Sequence, residues 1–204
     1  MGNTKVLAVV YGPRDAGSKS SHDIDNDKAT VSAGVTMAPY CGTERRVVHM
    51  NSRICTEYAQ AIRRCFEHVI LTTLYPHSTI SIHCTIFQAD GGELPCCLNA
   101  ALLAIIDAGI DILDFQVSLN VGYMDNTILF DMNYVESHLN GILLTVAYLP
   151  KSDQFTLTTL NSNIPLELFE DVLDAAKEGC KQVYAILKDH VLENAKKLYQ
   201  STQQ

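Results

Sequence analysis

Residues 88–115 constrain the fold more than any other stretch: Gln-Ala-Asp-Gly-Gly-Glu-Leu-Pro-Cys-Cys-Leu-Asn-Ala-Ala-Leu-Leu-Ala-Ile-Ile-Asp-Ala-Gly-Ile-Asp-Ile-Leu-Asp-Phe. The segment before it, 79–87, alternates Ile80, Ile82, Cys84 and Ile86 and reads as a strand. Gly91 and Gly92 follow, then an apolar helix that closes at Ala108-Gly109. Pro95 suits the first helical turn, where its missing N–H has no helical partner. The helix is apolar almost all round, so it belongs in the middle of the domain. A strand, a glycine turn and a helix N-terminus can together hold an anion, because the glycines admit close approach and the first-turn N–H groups point outward. A tight strand-to-helix turn with no ligand is the plainer reading of the same glycines.

The rest of the chain supports one α+β domain over residues 1–204, with halves at 1–92 and 93–200 and a polar tail at 201–204. Strands are predicted at 5–11, where Gly12-Pro13 is the stop, and at 29–38. Ser52 caps a helix expected to run to about Leu74, ahead of Pro76. Hairpins are predicted at 116–130, around Met124-Asp125-Asn126, and at 142–160. A helix from about Pro165 to Leu198 carries Val172, Ala175, Ala176, Val183, Ile186 and Leu187 on one face. The pattern implies helices packed against a mixed sheet.

Composition excludes several classes. No apolar run approaches the ~20 residues of a membrane span. The seven cysteines are odd in number and lack C-x-x-C spacing, which points to reduced, buried thiols and against a zinc site. The seven histidines show no zinc-ligand spacing either. A formal charge of −8 is wrong for a generic nucleic-acid coat, yet Arg45, Arg46, Arg53, Arg63 and Arg64 hold five of the 15 Lys+Arg residues within one short basic stretch.

The run Gln-Ala-Asp-Gly-Gly, the helix after it and the Asp114-Phe115 pair resemble the ribonuclease PH family, and within it the eukaryotic exosome-ring subunits that correspond to the catalytic archaeal subunit. Gly2-Asn3-Thr4-Lys5, residues 8–13, Leu74-Tyr75-Pro76 and residues 131–136 extend the resemblance over nearly the whole chain. It implies a fold like ribosomal protein S5 domain 2. It also implies an upstream extended segment, so the first sheet is expected to have an open edge.

Active members of that family degrade RNA from its 3′ end by phosphorolysis, which needs arginine, helix-terminal N–H donors and paired acids. The resemblance implies a degenerate form of that site here. Active members read Gly-Thr-Arg or Gly-Ser-Arg where this chain has Gly92-Glu93-Leu94, and two aspartates six apart where it has Asp131 and Ser137. Serine is a poor metal ligand and no general acid near neutral pH. Glu136 replaces the second acid only if the alignment slips by one residue. The alternative for Asp131 is a carboxylate capping the turn after a strand. Arg45, Arg46, Arg53 and Arg63 match RNA- and phosphate-contacting positions; the alternative is a solvated helix face with ordinary Arg–Glu pairs.

The expected function is a non-catalytic, RNA-guiding ring subunit of the exosome in the nucleus, nucleolus and cytoplasm. Its expected partners are other ribonuclease PH-like subunits, S1/KH cap subunits, a separate catalytic nuclease and single-stranded RNA, with no membrane and with homo-oligomers when isolated. No cofactor is expected; magnesium and inorganic phosphate enter only if the site is active. The competing readings are an active phosphate-dependent 3′-to-5′ exoribonuclease and an unrelated enzyme or binder on an S5-like fold.

Overall fold

The computed structural model describes residues 1–15, 27–42, 45, 52–124, 127–139 and 141–202. The elements in chain order are strand β1 (Lys5–Asp15), strand β2 (Thr30–Met37), helix α1 (Arg53–Val69), a short 3-10 turn (Thr72–Leu74), strand β3 (Ser78–Gln88) and helix α2 (Glu93–Asp107). Strands β4 (Val117–Met124) and β5 (Thr127–Phe130), helix α3 (Tyr134–His138), strands β6 (Ile142–Leu149) and β7 (Gln154–Leu160), and helix α4 (Leu166–Thr202) complete it.

Among the described residues the strands form two sheets rather than one. The first has the order β1-β3-β2, with β1 antiparallel and β2 parallel to β3. The second is antiparallel throughout, in the order β5-β4-β6-β7. Helices α1 and α2 lie between the sheets, and α4 covers the far face of the second. The apolar surround of α2 follows from this position: it packs on β1 and β3 on one side and β4 and β6 on the other. Leu98, Ala101, Leu102 and Ile105 are buried in the first core, with Ile62, Phe66, Ile80 and Ile82. The second core joins Val117, Leu119, Val121, Leu144, Val146 and Tyr148 to Val172, Ala176 and Cys180 of α4.

A buried polar clamp fixes α2 to β4. Asn99 Nδ2 donates to the Ser118 carbonyl at 2.9 Å, its Oδ1 accepts the Ser118 N–H at 2.8 Å, and the Ser118 hydroxyl donates to the Pro95 carbonyl at 2.8 Å. Every buried polar atom of the pair thereby gains a partner, which removes the desolvation penalty of about 1–3 kcal/mol that each would otherwise carry. Asp114, also buried, accepts the N–H groups of Phe115, Lys151 and Ser152 and so pins the β6–β7 turn.

Several boundaries differ from the sequence reading. Strand β1 passes Gly12-Pro13 and runs to Asp15, because a register shift between Tyr11 and Arg14 carries the proline out of the ladder. Helix α1 starts as expected, with Ser52 Oγ accepting the Cys55 N–H, but ends at Val69. Ile70 turns extended and bridges to Ile112, and the Leu113 N–H donates to the Val69 carbonyl at 2.8 Å. Helix α3 is additional. On α4 the buried line is Val172, Ala176 and Cys180, with Val183 and Leu187 beside it; Ala175 is half-buried and Ile186 faces solvent. The helix continues through Ser201 and Thr202, where no Gly or Pro stops it; Gln203 and Gln204 lie outside the described residues.

Candidate functional site: the glycine loop and its neighbours

The β3–α2 connection is built from left-handed backbone. Gly91 has φ +84° and Gly92, the α2 N-cap, φ +60°. Thr4 holds the loop from the start of β1: its hydroxyl donates to the Gly91 carbonyl at 2.5 Å and accepts the Asp90 N–H at 3.1 Å. Asp90 ties the same loop to two more segments, accepting from Asn3 Nδ2 at 2.9 Å and from the Tyr134 N–H at 3.4 Å.

Asp131 closes the other side. It follows β5 with φ +56°, a conformation aspartate tolerates better than most residues, and its N–H donates to the Asn120 carbonyl at 2.9 Å. A methyl group on Gly92 would stand 3.4 Å from Asp131 Oδ1, and one on Gly2 3.7 Å from Oδ2. The structure therefore brings the Gly91-Gly92 turn against the segment that begins at Asp131.

The remaining loop residues face elsewhere. Glu93 opens α2, where the helix dipole favours its negative charge. Its carboxylate accepts the Tyr58 hydroxyl from α1 at 2.9 Å. Burial and the adjacent Glu93 carboxylate push the Tyr58 phenol well above its usual value, so it remains a donor. Leu94 packs against the first apolar core. Ser137 donates its hydroxyl to the Tyr134 carbonyl at 2.9 Å, inside α3. Glu136 is held in a capping box: it accepts the Asn133 N–H at 2.9 Å while Asn133 Oδ1 accepts the Glu136 N–H at 2.9 Å. Among the described residues no group of three His, Cys, Asp or Glu side chains converges as metal ligands would. Asp90, Glu93 and Glu136 each accept a hydrogen bond of their own.

The basic residues lie on α1 and ahead of it. Arg53 Nε is 2.8 Å from Glu57 Oε1 with its side chain 91% exposed, and Arg63 Nε is 3.6 Å from Glu67 Oε1. Arg64 and Arg45 are exposed; Arg46 lies outside the described residues. Tyr58, Thr4, Asn3 and Asp90 escape the sequence reading as parts of this site. Their partners are 35 to 87 positions away, and no local spacing marks them. The Asn133-x-x-Glu136 capping signature, by contrast, stands in the sequence and announces α3.

The two domains of the 3′ exoribonuclease family match this chain in succession, domain 1 over residues 1–111 and domain 2 over residues 114–179. The chain belongs to the ribonuclease PH family. Among its relatives, the exosome complex component RRP41 homolog of Arabidopsis thaliana is 43% identical over 97% of this chain and 81% of its own length. The human exosome complex component RRP41 is 37% identical, covering 94% and 80%. The exosome complex component SKI6 of Saccharomyces cerevisiae is 30% identical, covering 96% and 79%. The ribonuclease PH fold is shared with rice Rrp46 (TM-score 0.78, 20% identity, 92% of this chain and 84% of that one). It is shared also with a chain of the Archaeoglobus fulgidus exosome with RNA bound to the active site (TM-score 0.74, 15% identity, 91% and 80%).

Proposed function

We propose that this ribonuclease PH family member is a ring subunit of a eukaryotic exosome that guides RNA and performs no phosphorolysis of its own. Exosome component relatives at 30–43% identity over nearly the whole chain support the assembly. The Tyr58–Glu93 hydrogen bond is the observation that carries the lack of chemistry. It fixes a negative charge at the first residue of α2, and a phosphate drawn to that helix N-terminus would meet it. Two like charges ~4 Å apart repel by about 1 kcal/mol in water and about 4 kcal/mol near a protein surface. Leu94 supplies no bidentate clamp to offset this, and Ser137 offers Asp131 no second acid to work with.

The partners of this reading are other ribonuclease PH-like subunits, S1/KH caps, a separate nuclease and single-stranded RNA, at work in the nucleus, nucleolus and cytoplasm. The subunit itself calls for no cofactor. Light-scattering mass of the chain, alone and mixed with the other ring subunits, tests the assembly. A stable hetero-oligomer should form. A monomer that gains no mass with every ring subunit present would contradict it.

A further inference from the structure

The outward face of the first sheet carries chemistry that neither the glycine loop nor α1 uses. Ile80, Ile82, Cys84 and Ile86 of β3 point into the core, so Ser81, His83, Thr85 and Phe87 point away from it. The register sets Leu7, Val9 and Tyr11 of β1 opposite Thr85, His83 and Ser81, and Ser32, Gly34 and Thr36 of β2 beside Ser81, His83 and Thr85. Leu7 is 51% exposed, Tyr11 43% and Phe87 37%.

Two rings and a guanidinium meet on this face. Tyr11 and His83 meet edge to face with centroids 5.7 Å apart, and the Arg14 guanidinium lies 4.7 Å over the Tyr11 ring. A Cβ on Gly34 would stand 2.9 Å from His83 Nδ1, so the absence of a side chain there lets the imidazole lie against the sheet. Hydroxyl pairs flank it, Ser32–Ser81 at 2.9 Å and Thr36–Thr85 at 3.1 Å. The charge fits a polyanion. In a chain of net −8, the three strands carry Lys5 and Arg14 and a single carboxylate, Asp15, at the end of β1.

We infer that this face is a stacking platform for unpaired bases of single-stranded RNA, with one base against Tyr11 and His83, another near Leu7 and Phe87, and the backbone held by Arg14. Open sheets with exposed rings bind unstacked bases in this way, and stacking tolerates any base. The inference rests on the RNA-guiding ring-subunit reading above, whose assembly the mass measurement tests independently.

The test is the affinity of the full chain for a fluorescein-labelled oligouridylate across a salt series, with cross-linking of a 4-thiouridine oligonucleotide to the wild type. Tyr11→Ala and His83→Ala should each weaken binding about five-fold or more without changing the salt slope, and Tyr11→Phe should keep it. Cross-links should fall in β1 and β3. Unchanged affinity in both alanine variants, or cross-links confined to other peptides, would overturn the platform. If an alanine variant melts early, the wild-type cross-link map decides. Loss of binding in Arg53→Ala/Arg63→Ala alone would remove the platform and leave the RNA-guiding reading intact. A doubled mass that Tyr11→Ala abolishes, with no effect on RNA, would assign the face to a second copy instead.

Discussion

Gly91 and Gly92 share a left-handed backbone, but different neighbours press on them. A Cβ at Gly92 would meet the Asp131 carboxylate at 3.4 Å, ordinary contact with a side chain that can shift. A Cβ at Gly91 would run into the Met132 carbonyl and stand 2.8 Å from the Asn133 carbonyl carbon. Gly92→Ala should therefore cost the left-handed penalty, about 1–2 kcal/mol, and Gly91→Ala clearly more. Urea midpoints of the two variants give the comparison, and equal losses would contradict it. The glycines, Pro95 and Asp131 were legible in the sequence because backbone conformation and turn chemistry are local. The donor to Glu93 was not: Tyr58 sits 35 positions upstream, and only the packing of α1 against α2 brings its hydroxyl within reach.

Helix α1 is an element in which two surfaces do different work. Cys55, Ile62, Cys65, Phe66 and Val69 fill the core at helical spacing, while Arg53 and Arg63 stand outside with their glutamates. Exposed pairs of this kind contribute roughly 0–1 kcal/mol, so the arginines can exchange Glu57 and Glu67 for RNA phosphates at little cost. Arg53→Ala/Arg63→Ala should leave stability within about 0.5 kcal/mol. It should lower the slope of log affinity against log salt by roughly 0.7 for each phosphate that the arginines no longer neutralise. An unchanged slope would take these residues off the RNA path. The start of α1 was readable from Ser52. Its end was not, because Ile70 leaves the helix to pair with Ile112, and a long-range bridge overrides local propensity.

The described residues alternate sheet, helices, sheet, helix; the first core buries the thiols of Cys55, Cys65, Cys84 and Cys97, and the second that of Cys180. Period-two and period-3.6 patterns in the sequence identified nearly all of these strands and helices. They could not divide the strands into two sheets, because α2 is apolar on every side and only tertiary contact shows that both faces are covered. Burial pushes the Cys65 thiol up to about 11 and that of Cys180 up to about 12. Unfolded thiols titrate near ~8.5. Above that pH the unfolded chain binds fewer protons than the folded one, so stability falls as pH rises and is fully present below it. Denaturant midpoints under reducing conditions should hold from neutral pH to about 8.5 and decline steadily beyond. A flat alkaline limb would show that the thiols are not buried as described.

On the proposed reading, the chain keeps its layers and its loop for the surface they offer to neighbouring subunits and performs no phosphorolysis of its own. The well-formed α2 core stands beside a loop whose Glu93 is bonded to Tyr58 and whose Leu94 lies against the first core. Release of nucleoside diphosphate from single-stranded RNA by the purified chain, with phosphate and magnesium supplied and an active family member run alongside, tests that reading most directly. The account predicts no release above background. Phosphate-dependent release that Asp131→Asn abolishes would contradict it.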